Sequence, residues 1–95
     1  MKIIWNSAAQ RKLREIMDYI SIDSPSAAVK YGQEIFSRTN KLLEFPDVGI
    51  VFQATEHRVI RKIIIGKTKS IFYRVHKSNI YILALHDNRQ ANRTK

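Results

Sequence analysis

Cysteine is missing from all 95 residues, which excludes disulfide frameworks, thiol catalysis and cysteine-based zinc sites together. Proline occurs twice and glycine three times, always singly, so there is no Gly/Ser linker, repeat or low-complexity tract. Long apolar runs are lacking as well. The longest is the six residues Ile80 to Leu85, against the roughly 20 needed to span a bilayer. Met1 to Trp5 is too short for a signal peptide and runs straight into polar Asn6 and Ser7. With 44% hydrophobic and 26% charged residues, the expectation is a small soluble cytoplasmic protein, a single domain over residues 1–95.

Acidic residues are scarce too. Eight Asp and Glu stand against seventeen Lys and Arg, a formal charge of +9. Residues 1–50 hold seven basic and six acidic side chains, whereas residues 51–95 hold ten and two, together with all three histidines. A small domain with its positive charge gathered in one half expects a polyanion or an acidic protein partner. The plainer alternative is a solvated surface that keeps the chain soluble.

What is present orders itself by period. Lys2 to Trp5 reads as a short strand. Asn6 or Ser7 can cap a helix, and Ser7-Ala8-Ala9-Gln10 fits the capping-box spacing. Ala9, Leu13, Ile16, Met17 and Ile20 then form one apolar stripe at helical spacing. Ser24-Pro25 breaks that helix and starts a second, with Ser24 as cap and proline in the first turn. Ala28, Tyr31, Ile35, Thr39, Leu42 and Leu43 make its stripe, and Pro46 and Gly49 turn the chain afterwards. Val59-Ile60, Ile63 to Ile65, Ile71 to Val75 and Ile80 to Leu85 are β-branched or aromatic runs of strand length. Gly66 to Lys69 and His76 to Asn79 are connectors short enough for hairpins. The fold class predicted is α+β: an N-terminal strand, an antiparallel helix hairpin, then a three-stranded antiparallel meander. Helices on one face leave the other face of the sheet open, where Arg58, Lys62, Lys69, Arg74 and Arg89 can gather.

Few constellations carry chemistry. Gly66-Lys67-Thr68 imitates the end of a phosphate-binding loop, but Arg61 stands where that motif needs glycine and no helix follows. His57, His76 and His86 lack helical ligand spacing, and Asp87 is a single carboxylate beside them, so no metal or other cofactor is expected. The cations Arg58, Arg61, Lys62, Lys67, Lys69, Arg74 and Arg89 remain as a candidate anion-binding patch, which confers affinity without sequence information. Strand alternation places Lys67 with Lys69 and Phe72 with Arg74. Of Phe72, Tyr73 and Tyr81, at least two are expected in the core rather than on a stacking platform. Metal-free RNA cleavage would need a base, an acid and cations for the phosphorane charge. Glu56, His57 and His86 are the only proton carriers in the basic half, and Glu56 and His57 read better as solvated loop residues.

Trp5, Ala9, Leu13, Ile16 and Asp18-Tyr19-Ile20, then Ser24-Pro25-Ser26-Ala27-Ala28, form the first part of an ordered series. Leu42-Leu43 with Pro46 and Gly49, Arg58-Val59-Ile60, Ile71 to Val75, and Ile80 to Leu83 running into His86 to Gln90 complete it. This series, nearly the whole chain, resembles the RelE/ParE family of bacterial toxins. The resemblance implies the α+β fold above and a small basic toxin held inactive by an acidic cognate antitoxin.

Members of that family divide by target, and the resemblance leaves both open. RelE-like members cleave messenger RNA on the ribosome with basic residues on the sheet and a C-terminal proton carrier. By analogy Arg61, Lys62, Lys69 and Arg89 would hold the scissile phosphate, with His86 as the remaining candidate for the proton. The aromatic or histidine acid expected after Arg89 is missing, since residues 90–95 read Gln-Ala-Asn-Arg-Thr-Lys. ParE-like members poison DNA gyrase, and the Ser-Pro-linked helices and the Asp87-Asn88-Arg89-Gln90 ending resemble that branch. On this reading Arg58, Lys67 and Arg74 would contact the target. A third reading keeps the toxin fold with toxicity lost. The antitoxin would dock an acidic amphipathic segment on the outer face of the helix hairpin.

Overall fold

A computed structural model describes residues 1–89. Strand β1 (Lys2–Trp5) leads into helix α1 (Ser7–Asp23), helix α2 (Pro25–Asn40) and a 3-10 turn (Lys41–Leu43). Strands β2 (Ile50–Ala54), β3 (Val59–Ile65), β4 (Lys69–His76) and β5 (Asn79–Asp87) follow. Among the described residues no helix is long and apolar enough to cross a membrane.

The helix limits are set locally. Asn6 Oδ1 accepts the Ala9 N–H at 2.7 Å, so Asn6 rather than Ser7 caps α1. The Ser7 capping box does not form, and the Gln10 amide donates to the Trp5 carbonyl instead, at 3.1 Å. Asn6 also donates through its amide to the Leu83 carbonyl at 3.0 Å and through its backbone to Ile82 at 3.1 Å, joining the helix start to β5. Ser24 serves both helices: its N–H closes α1 on the Ile20 carbonyl, and its hydroxyl accepts the Ala27 N–H to open α2.

The sheet order is β1-β5-β4-β3-β2, with β1 parallel to β5 and every other pair antiparallel. The meander after the helices therefore has a further outer strand, β2, and β1 completes the sheet on the far side of β5. The runs Val59-Ile60 and Ile63 to Ile65 are one strand, with Arg61 and Lys62 inside it. The β4–β5 connection is tighter than a four-residue connector: Lys77 and Ser78 turn it alone, both left-handed at φ 48° and 63°.

A bulge in β5 explains why Ile80 to Leu85 does not alternate. Phe72 pairs with Ala84 but Tyr73 pairs with Ile82, leaving Leu83 as the extra residue. Ile82 and Leu85, three apart, thus both face the helices. They join Ile65, Ile71, Tyr73 and Ile80 from the sheet and Leu13, Ile16, Tyr31 and Ile35 from the helices in one core. Among the described residues neither α1 nor α2 covers the opposite face of the sheet.

Candidate functional site

Register assigns each strand residue to a face. Lys69, Ile71 and Tyr73 of β4 point to the helices, with their β3 partners Ile65, Ile63 and Arg61. Ser70, Phe72, Arg74 and His76 point to the open face, with Ile64 and Lys62 of β3 and His86, Ala84 and Tyr81 of β5.

On the helix side a groove of about 510 Å³ lies between α1, the first half of α2 and the paired ends of β4 and β5. Lys69 and Asp87 are register partners there, 7% and 3% exposed. The Lys69 ammonium sits 2.9 Å from Glu34 Oε1 and 5.3 Å above the Tyr31 ring. The Tyr31 hydroxyl donates to Asp87 Oδ2 at 3.0 Å, and Arg89 reaches that oxygen at 3.3 Å and donates its backbone N–H to Oδ1 at 2.9 Å. Burial alone would raise the Asp87 carboxyl, but the hydrogen bonds from Arg89 and Tyr31 hold it below the usual carboxylate range. Burial first, and then the Asp87 charge, push the Tyr31 hydroxyl above the range in which it can lose its proton. Hydrogen bonding to Asp87 raises Arg89 in turn. These four charges make two matched pairs, which fasten α2 to the sheet rather than supply a titrating group.

At the other end of the same face Tyr73 is fully buried. Its hydroxyl donates to the Pro46 carbonyl at 2.7 Å and accepts the Gly49 N–H at 2.9 Å. A Cβ on Gly49 would fall 2.7 Å from the Tyr73 ring and hydroxyl, so glycine is required there. Arg61 donates to the carbonyls of Asp47 and Gly49 at 3.1 and 2.9 Å and stands 3.8 Å from the Asp47 carboxylate. Arg61 and Tyr73 together pin the loop from Pro46 to Gly49 onto the sheet.

The open face differs. Phe52 of β2 packs edge-to-face on Phe72, with ring centroids 4.8 Å apart, and the Lys62 ammonium lies 5.8 Å over Phe52. Arg74 is 3.2 Å from His76 Nδ1, whose ring neighbours Tyr81 at 6.4 Å. His86 is exposed at the end of β5.

The sequence-predicted residues are therefore scattered. Of the five cations expected on the open face, Lys62 and Arg74 lie there. Lys69 and Arg89 turn to the helix side because strand alternation from the core residue Ile71 sends Lys69 inward, and Asp87 draws Arg89 after it. Arg58 lies in the turn between β2 and β3 and Lys67 in the turn between β3 and β4, both exposed. Lys67 accordingly does not share a face with Lys69, whereas Phe72 and Arg74 do share one. Arg61, Lys62, Lys69 and Arg89 do not converge on one phosphate: Lys62 is on the opposite face from the other three. Arg61 and Lys69 are separated by four register steps, roughly 13 Å. Of the aromatics, only Tyr73 goes to the core, while Phe72 and Tyr81 remain half-exposed on the open face. Glu56 and His57 are exposed turn residues. The segment 90–95, where a C-terminal proton carrier was sought, lies outside the described residues.

Sequence reasoning missed Phe52, Tyr31 and Glu34. Tyr31 read as one more stripe residue. Asp87 carried a usable signal, since counting two from Leu85 puts it on the core side of β5, where a carboxylate needs partners.

The family model for the ParE toxin of type II toxin–antitoxin systems, parDE, matches residues 3–92. A solved chain of the chromosomal ParDE system from P. aeruginosa has the same fold, with a TM-score of 0.73 at 23% identity, over 92% of this chain and 95% of that one. A comparison with curated proteins finds no match.

Proposed function

The chain belongs to the ParE toxin family of type II toxin–antitoxin systems, and from that premise we propose that it poisons DNA gyrase by binding it. On this reading the 95 residues act as one toxin domain, and a cognate antitoxin neutralises it. The observation that carries binding over RNA cleavage is the engagement of the cations a nuclease would use. Arg61 is committed to the Asp47–Gly49 loop, Lys69 to Glu34 and Arg89 to Asp87. Cleavage needs cations and a proton carrier converging on one phosphate. Arg58, Lys67 and Arg74, exposed or half-exposed at turns and on the open face, are left for contacts with the target.

The antitoxin supplies an acidic amphipathic segment to a chain of charge +9. Its dock is the outer face of the helix hairpin, where Ile22 and Val29 are exposed and Phe36 packs edge-on against Trp5. Apolar side chains exposed along a helix surface are what the apolar face of an amphipathic partner segment covers when it docks. Expression without the antitoxin is expected to arrest bacterial growth with messenger RNA left intact. Messenger cut within the ribosomal A-site codon would replace this reading with the nuclease, and harmless expression would remove toxicity altogether.

A further inference from the structure

The two edges of the sheet are finished differently. At one edge β1 is four residues long, opens on Lys2, and is half-buried at Ile3 and Trp5. At the other edge β2 pairs only with β3, so among the described residues its outward backbone groups meet no further strand. All five residues of β2 are exposed, and Ile50 to Ala54 contains neither charge nor proline. Natural sheets blunt their edges with such residues, because an open apolar edge pairs with other strands that it meets. A bulge at Phe52 bends β2 without covering it. The apolar surface continues before the strand, since Val48 and Ile50 are 65% and 64% exposed and Leu43 and Phe45 are exposed beside them. A groove of about 250 Å³, lined in part by Leu42, Phe45, Val48 and Ile63, opens there. Charge is just as uneven. Residues 44–58 hold three carboxylates and one arginine, whereas the rest of the chain holds sixteen basic and five acidic side chains.

We propose that β2 is the contact surface for a second copy of this chain, paired antiparallel across a two-fold axis near Val51. A two-fold contact joins a patch to itself, so the patch must carry its own complement. Antiparallel pairing supplies it. The segment before β2, with Glu44 and Asp47, lies beside the segment after β2 of the other copy, with Glu56, His57 and Arg58. Among the described residues the side chains of Glu44, Glu56 and Arg58 make no ion pair within the chain. Two copies of charge +9 repel wherever their basic surfaces meet. Residues 44–58 are where acids outnumber bases, so each copy's edge lies in the positive field of the other copy's remainder. An acidic antitoxin strand is disfavoured at this edge, because like charges set against each other cost affinity. The inference stands apart from the identity of the toxin's target, and it draws Arg58 into the contact while Lys67 and Arg74 remain for that target.

The test is sedimentation equilibrium of the full chain, free of antitoxin, between about 1 and 100 μM. The mass is expected to rise with concentration from 11.1 kDa to twice that value and stop there, because a two-fold contact closes. Ile50→Lys, which sets like charges against each other, is expected to raise the dissociation constant at least about tenfold. Gln33→Lys, the same added charge on the exposed side of α2, is expected to leave it unchanged. Arg58→Glu replaces an exposed turn side chain and so guards against misfolding of the strand variant. It is expected to weaken association about threefold or more, and adding Glu44→Lys is expected to restore it. A mass that stays at 11.1 kDa up to about 100 μM would overturn the proposal. So would association that grows past two copies, Ile50→Lys or Arg58→Glu chains that pair like the original, or a double variant no tighter than Arg58→Glu alone. A Gln33→Lys effect as large as that of Ile50→Lys would overturn it too. Hydrogen exchange covers the other occupant: β2 amides protected in the co-expressed antitoxin complex but open in the free chain at about 100 μM would give this edge to an antitoxin strand instead.

Discussion

Tyr73 shows how much of the architecture passes through single polar atoms. Its hydroxyl is buried and closes two backbone groups of the Pro46–Gly49 loop. Tyr73→Phe leaves the Gly49 N–H without that acceptor inside the protein, and is expected to cost about 1–3 kcal/mol. A urea unfolding midpoint measures it, and an unchanged midpoint would mean the loop is held by Arg61 alone. Asp87 gives the matching case for charge. Its carboxyl titrates lower in the folded chain than in the unfolded one. Such a group stabilises the fold above the unfolded value and loses that contribution as pH falls through the folded value. Asp87→Asn is expected to destabilise the chain by about 1–3 kcal/mol at neutral pH, and the gap to the original chain should close below about pH 4. A gap that persisted at lower pH would assign the loss to packing. At this scale the sequence was least legible. Lys69 and Arg89 were read as surface cations because nothing local tells a lysine that its register partner is a buried aspartate.

Elements were legible wherever their determinants are near in sequence. Both helices follow from stripes and caps within a few residues: of the two caps the sequence offers, Asn6 is used because it also bonds across to β5, and the stripe read through Leu42 and Leu43 leaves α2 at Asn40 for a 3-10 turn. The partners of β1 lie 77 positions away in register, so its place in the sheet could not be read. Strand β2 hid for another reason: all five of its residues are exposed, which erases the inner-outer alternation that marks a strand. The β4–β5 turn makes a prediction of its own. Lys77 and Ser78 both adopt a left-handed backbone, which costs side chains with a Cβ about 1–2 kcal/mol per residue and costs Asn-Gly far less. The double substitution Lys77→Asn and Ser78→Gly is expected to raise stability by about 1 kcal/mol or more, seen as a higher thermal midpoint. A lower midpoint would show that the present side chains make contacts that outweigh the backbone strain.

For the whole molecule, the strongest sequence signal was the charge asymmetry between the two halves, and the fold gives it form. One face of the sheet receives the helices and the paired charges, and the other is left with rings and unmatched cations. The family was legible in the order of short segments along the chain, because that order records the packing of helices on a meander. The candidate site was legible only in part. Of the cations expected on the open face, Lys62 and Arg74 lie there, whereas Lys69 and Arg89 face the helices. The central claim is that this ParE-family chain acts on gyrase by binding, and a supercoiling reaction with purified gyrase, relaxed plasmid and the full chain tests it most directly. The account predicts that protein at about micromolar concentration, the range of ordinary protein–protein affinities, blocks supercoiling or accumulates cleaved DNA. Supercoiling that proceeds undisturbed at that concentration would contradict it.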